Sequence, residues 1–127
     1  MSQTRLSIAH VASEMAPLVK VGGLADMVGA LAAEQVRRGH RVIVALPGYR
    51  DVVLPPGWTV RPLGQAEVPW GLRREPAAFE VAEDPGSGLR VLLVRHTGER
   101  RFFDRPGVYD DTRTNRSEEH TSELQSQ

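Results

Sequence analysis

The chain contains no cysteine and only one lysine among its 127 residues. Without cysteine there are no disulfides, catalytic thiols or thiolate metal sites, a pattern that fits a reducing compartment. No charge of one sign dominates: sixteen basic residues meet sixteen acidic ones. That balance offers no basic face for nucleic acid and no acidic solvating tail, so a small partner is expected. No stretch approaches membrane-spanning length, and residues 1–4 lead straight into an apolar run with no room for a leader's charged and hydrophobic regions. A cytoplasmic protein with no membrane partner is therefore expected. His10, His40, His96 and His120 lack metal-ligand spacing, so neither a metal nor a cofactor is expected. The length suits a single domain burying roughly two thirds of its unfolded surface, too short for a two-domain enzyme.

What is present is arginine, fifteen of them, against the single Lys20 two residues before Gly22 and Gly23. Arginine serves as nearly every cation, yet a compact ammonium is kept beside a glycine turn, where a broad guanidinium would not fit. Phosphate is the guest this suggests. Glycines let backbone N–H groups approach a ligand, a helix start offers unpaired donors, and the lysine adds a full charge. The competing explanation is that genomic base composition favours arginine and one lysine survived by chance.

Residues 6–12 are a short apolar run without strict alternation, which predicts a strand covered on both faces of a parallel sheet. Residues 22–38 place Leu24, Met27, Val28, Leu31 and Val36 at the spacing of an amphipathic helix. Asp26 near its start, Arg37 and Arg38 at its end and Gly39 beyond suit the helix dipole and a C′ glycine. A second apolar run, residues 42–46, stops at Pro47 and Gly48. The result is a right-handed βαβ unit with its ligand site beyond the carboxyl ends of the strands, where residues 13–23 emerge. Residues 58–68, 77–82 and 89–95 read as further strands, with a hairpin between 77 and 95 around the turn at 84–88. Residues 102–107 read as one helical turn running into a loop.

Residues 116–127 have no apolar periodicity and one large aliphatic side chain, Leu124, so nothing there can pack. They resemble the frame translation of a sequencing-adapter oligonucleotide and are set apart as a non-native, disordered tail. Without them fifteen basic groups face thirteen acidic ones. The authentic domain is then expected over residues 1–115, ending abruptly near Asn115.

Three stretches carry a family resemblance: Val11-Ala12-Ser13-Glu14-Met15-Ala16-Pro17; Lys20-Val21-Gly22-Gly23-Leu24-Ala25-Asp26-Met27-Val28-Gly29-Ala30-Leu31; and Gly39-His40-Arg41-Val42 with Leu46-Pro47. Together they resemble the amino-terminal signature of bacterial glycogen synthases and plant starch synthases. Phe103-Asp104-Arg105-Pro106-Gly107-Val108-Tyr109 is similar to a later stretch of that family, whereas residues 50–90 are only loosely similar. One departure falls inside the motif, where Val21 stands in place of the family's usual threonine.

The resemblance implies an α/β fold: a Rossmann-like parallel sheet with a β-hairpin, the partial amino-terminal half of a GT-B glycosyltransferase. It implies retaining transfer of glucose from ADP-glucose or UDP-glucose to the non-reducing end of an α-1,4-glucan. Protein cations and helix N-termini, rather than a metal, would neutralise the departing diphosphate. Carried onto this chain, Lys20 would contact a donor phosphate while Gly22 and Gly23 let the loop close over it. Asp26 either orients the sugar or the lysine, or is a helix-dipole partner. Glu14 either braces the loop or is solvated, Phe102 and Tyr109 either line a glucan path or belong to the core, and His10 is structural. The family's remaining catalytic groups lie beyond residue 127, so this polypeptide alone is expected to be inactive. A bacterial cytoplasm is the expected location, or a plastid if the source is a plant and the leader is missing. The alternatives are a stand-alone phosphate- or nucleotide-binding module without catalysis, and a structural domain with an incidental glycine turn.

Overall fold

A computed structural model describes residues 4–50 and 52–98. The elements are β1 (Ser7–Val11), α1 (Gly23–Arg37), β2 (Arg41–Pro47), β3 (Thr59–Trp70), β4 (Arg73–Glu83) and β5 (Arg90–His96). One sheet has the order β1-β2-β5-β4-β3. Strands β1, β2 and β5 run parallel, and β4 and β3 extend the sheet antiparallel. The expected strand–helix–strand unit and the hairpin between 77 and 95 are both present. The helical turn at 102–107, Phe102, Tyr109 and the tail at 116–127 lie outside the described residues.

The hairpin joining β4 to β5 owes its turn to Asp84. Its Oδ1 accepts from Gly86 N at 3.0 Å and its Oδ2 from Ser87 Oγ at 2.9 Å. Its carbonyl accepts from Gly88 N at 2.7 Å. A short polar side chain that caps its own turn is what the local letters predict. Strands β3 and β4 are longer than predicted and form a ribbon closed by a two-residue loop with Gly71 at φ 64. That left-handed backbone is readily adopted by glycine. Among the described residues the ribbon leans on no helix, so β3 is exposed throughout and tolerates Pro62 and Pro69 as an edge strand does.

Two burial expectations fail. β1 is covered on one face only, with Ser7, Ala9 and Val11 exposed, because it is an edge strand whose sole helix neighbour, among the described residues, lies on the other face. The helix turns only part of its apolar stripe inward: Val28 is buried and Val36 packs against the core. Leu24, Met27 and Leu31 are exposed while Ala25, Val28 and Ala32 are buried. The reason is close approach: Ala16 N donates to Ala25 O at 2.9 Å, and a Cβ at Gly29 would lie 2.6 Å from the Ala16 carbonyl oxygen. Small residues let the preceding loop and the sheet reach the helix backbone, and long side chains are pushed to the far side.

The core therefore draws on a segment that reads as loop. Met15, Leu18 and Val19 join Val28 and Ala32 of α1 with Val42, Val44, Leu46, Val91 and Leu93 of the parallel strands. Fully burying a side chain such as Met15 or Leu18 stabilises by about 1.5–3 kcal/mol.

Candidate functional site

Val11 and Pro47 end β1 and β2 on the same edge of the sheet, and residues 12–22 leave β1 there before entering α1. A loop at the carboxyl ends of parallel strands is the usual ligand position of such folds. Here it is tied down. Glu14 is 1 % exposed, and its Oε1 accepts from Val21 N at 3.1 Å and Gly22 N at 2.9 Å. Met15 and Val19 exchange backbone hydrogen bonds of 2.9 Å in both directions. Glu14 thus braces the loop, and it fixes the approach of residues 20–22 to the helix.

Lys20 extends outward from this brace. Its Nζ lies 3.0 Å from Asp26 Oδ2, with the two side chains 54 % and 57 % exposed. Of the two roles open to Asp26, the geometry has it holding the lysine, across the first turn of α1. Gly22 is the N-cap, with extended backbone and no side-chain cap. A Cβ at Gly22 or Gly23 would meet nothing within 4 Å. Among the described residues the space above the helix mouth is open, and packing demands glycine at neither position. Gly22's N–H is already donated to Glu14, so Gly23 and Leu24 are the positions whose N–H groups a helix start leaves to an outside acceptor. Lys20, Gly22, Gly23 and Asp26 are therefore brought together at one helix mouth.

At the same carboxyl edge of the sheet an apolar concavity of about 380 Å³ is lined by Val11, Ser13, Ala45, Pro47 and Val94. On β5, Arg95 ties the strands to the segment after β2: Nε donates to Glu80 Oε1 at 2.7 Å and Nη1 to Gly48 O at 3.2 Å. His10, as expected, is structural, its Nε2 lying 2.7 Å from Gln35 Oε1 on α1. A second polar group went unread in the sequence: His96 Nε2 lies 2.6 Å from Glu75 Oε1, and Arg73 Nη2 lies 3.3 Å from Glu75 Oε2. His96 is 21 residues from Glu75 and meets it only because β4 pairs with β5, so no local signal could have found that pair. Among the described residues no cluster of three or more His, Cys, Asp or Glu could hold a metal ion, and no helix is long and apolar enough to cross a membrane.

A family model described as Starch synthase catalytic domain matches residues 7–125. The chain is 40% identical over 89 residues to a glycogen synthase of Paramagnetospirillum magneticum, covering 70% of this chain and 18% of that protein. It is 35% identical over 107 residues to glycogen synthase 1 of Geobacter metallireducens, covering 84% and 21%. A solved structure, the catalytic domain of starch synthase IV from Arabidopsis thaliana bound to ADP and acarbose, superposes with a TM-score of 0.77 at 29% identity. That match covers 87% of this chain and 22% of the other. The chain spans about a fifth of the length of the relatives it matches.

Proposed function

The chain belongs to the starch synthase catalytic-domain family, and from that we propose that it supplies the donor-phosphate cradle of a GT-B glycosyltransferase acting by retention. The whole enzyme moves glucose from ADP-glucose or UDP-glucose to the non-reducing end of an α-1,4-glucan. Lys20 contacts a donor phosphate, Gly23 and Leu24 present the open N–H groups of α1, and Asp26 holds the ammonium until donor displaces it. Gly22 and Gly23 leave the space through which the diphosphate approaches. The observation that carries this reading is that open space: the described residues give no packing reason for glycine at either position, whereas close approach of a ligand does.

As the diphosphate departs, charge gathers on its oxygens and the sugar gains oxocarbenium character. An ammonium and a helix N-terminus already aimed at that position stabilise it without reorganising. A lysine about 4 Å from a phosphate charge contributes on the order of 4 kcal/mol before desolvation, and the helix end adds about 0.3–2. Enzymatic acceleration needs about 8–23 kcal/mol, so this polypeptide on its own does not transfer glucose. Radiolabelled transfer to glycogen by the purified 127-residue chain would overturn that statement.

Lys20→Ala in a full-length enzyme is the direct test. Loss of one charge-assisted contact predicts a fall of roughly 10- to 100-fold in kcat/KM for the nucleotide sugar. Unchanged kinetics would remove Lys20 from the site. Residues 1–115 are proposed as the domain proper and 116–127 as non-native sequence. Because the family match runs on to residue 125, the genomic reading frame past Asn115 discriminates: continuation with the same twelve letters defeats the proposal. A cytoplasmic location is part of the same reading.

A further inference from the structure

The edge of the sheet opposite Lys20 holds a cavity of about 530 Å³ lined by Arg5, His40, Arg41, Arg61, Glu83 and Arg90, among others. Each arginine comes from a different strand or its approach. Arg5 precedes β1, Arg41 opens β2, Arg90 opens β5 and Arg61 lies near the start of β3. Register brings them together: Arg41 stands opposite Ser7, Arg90 opposite Glu83 and Ile43, and Arg61 opposite Val81. None of the four guanidinium groups has a hydrogen-bond or ion-pair partner among the described residues. In contrast, Arg37, Arg38, Arg73 and Arg95 are each paired with a carboxylate.

We propose that this amino-edge cavity is an anion site for a small phosphorylated ligand, separate from the donor cradle. Four unpaired cations facing one carboxylate, Glu83, make the concavity strongly positive in a chain whose formal charge is zero. A concave wall concentrates that field, and the guanidinium fork matches phosphate oxygens two at a time. The volume suits a small molecule rather than a macromolecular surface. His40 is held by the edge itself, its Nδ1 accepting from Leu6 N at 3.1 Å, so its ring is set in place at the cavity wall. The seven residues of β2 put about 20 Å between the two edges, too far for one diphosphate to span. The site is therefore independent of the glycosyl-transfer reading and stands or falls without it.

The test is titration of the ¹⁵N-labelled 127-residue chain with inorganic pyrophosphate, at constant ionic strength set with chloride. Saturable amide shifts are expected at residues 39–41, 61 and 87–90. Arg41→Gln and Arg90→Gln should each weaken binding about tenfold or more, and Lys20→Ala should leave these shifts unchanged. Glucose 1-phosphate and ADP form the second arm, the tighter of the two assigning the ligand as a sugar phosphate or a nucleotide. Shifts confined to residues 20–24, equal binding by the arginine variants, or the same response to chloride alone would each overturn the proposal.

Discussion

The two edges of one sheet handle positive charge in opposite ways. At the carboxyl edge a single ammonium is kept, paired with Asp26 at 3.0 Å and perched over glycines with open space above them. At the amino edge four arginines line one cavity, their guanidinium groups without a partner among the described residues. The first arrangement is a poised contact, held by a weak exposed pair worth about 0–1 kcal/mol that a phosphate can displace. The second is an excess of cations over the single carboxylate of Glu83. Charge count alone does not distinguish a cation that waits for a ligand from cations that lack one; counter-ions and space do.

The largest expected effect is at the brace beneath the carboxyl edge. Glu14→Ala empties a buried position and leaves the half-buried N–H groups of Val21 and Gly22 without their acceptor, together costing on the order of 3 kcal/mol. Urea denaturation should show a lower midpoint with an unchanged slope. Arg41→Gln at the other edge should leave the midpoint within about 0.5 kcal/mol of the parent, and equal losses at both edges would erase the contrast.

Gly29→Ala should cost about 1–3 kcal/mol. Its new Cβ would sit 2.6 Å from a backbone oxygen that cannot swing away. Gly23→Ala should do the reverse, gaining about 0.4–1 kcal/mol by stiffening the unfolded chain and favouring helix. In the full-length enzyme the same change should weaken nucleotide-sugar binding, measured as a raised donor KM. A stabilised variant with an unaltered KM would show that the open space serves nothing.

The smallest effect belongs to the far end of α1, where Arg37 and then Arg38 donate to Glu34 and hold its carboxyl down from 4.5 to about 2. A folded value below the unfolded one contributes stability above about pH 4.5, and this is lost as pH falls toward 2. The pair is exposed, so the effect is minor. The melting temperatures of the parent and Glu34→Gln should differ slightly at neutral pH and converge across that acid window.

Part of the site was legible in the letters. Lys20, the glycines and Asp26 lie within seven positions of one another, and the helix start between them is a local event. Glu14 was legible only as a candidate, because whether a carboxylate in an apolar stretch is buried depends on what packs over it. Phe102 and Tyr109 lie outside the described residues. The amino-edge arginines escaped notice because Arg5, Arg41, Arg61 and Arg90 are spread over 85 positions of sequence. Averaged along the chain they vanish into neutrality.

Local chemistry by itself determined the order of strand, helix and strand, the helix end at Gly39 and the Asp84 turn, since each depends on backbone preferences and hydrogen bonds among near neighbours. Tertiary structure decided what those preferences cannot reach. It turned Ala25, Val28 and Ala32 inward and left Leu24, Met27 and Leu31 outside, because the closeness of the 12–22 loop allows only small side chains between helix and sheet. It placed Met15, Leu18 and Val19 in the core, and strand order gathered four distant arginines onto one edge. Packing distance and register are properties of the assembled chain, and no window of neighbouring residues contains them.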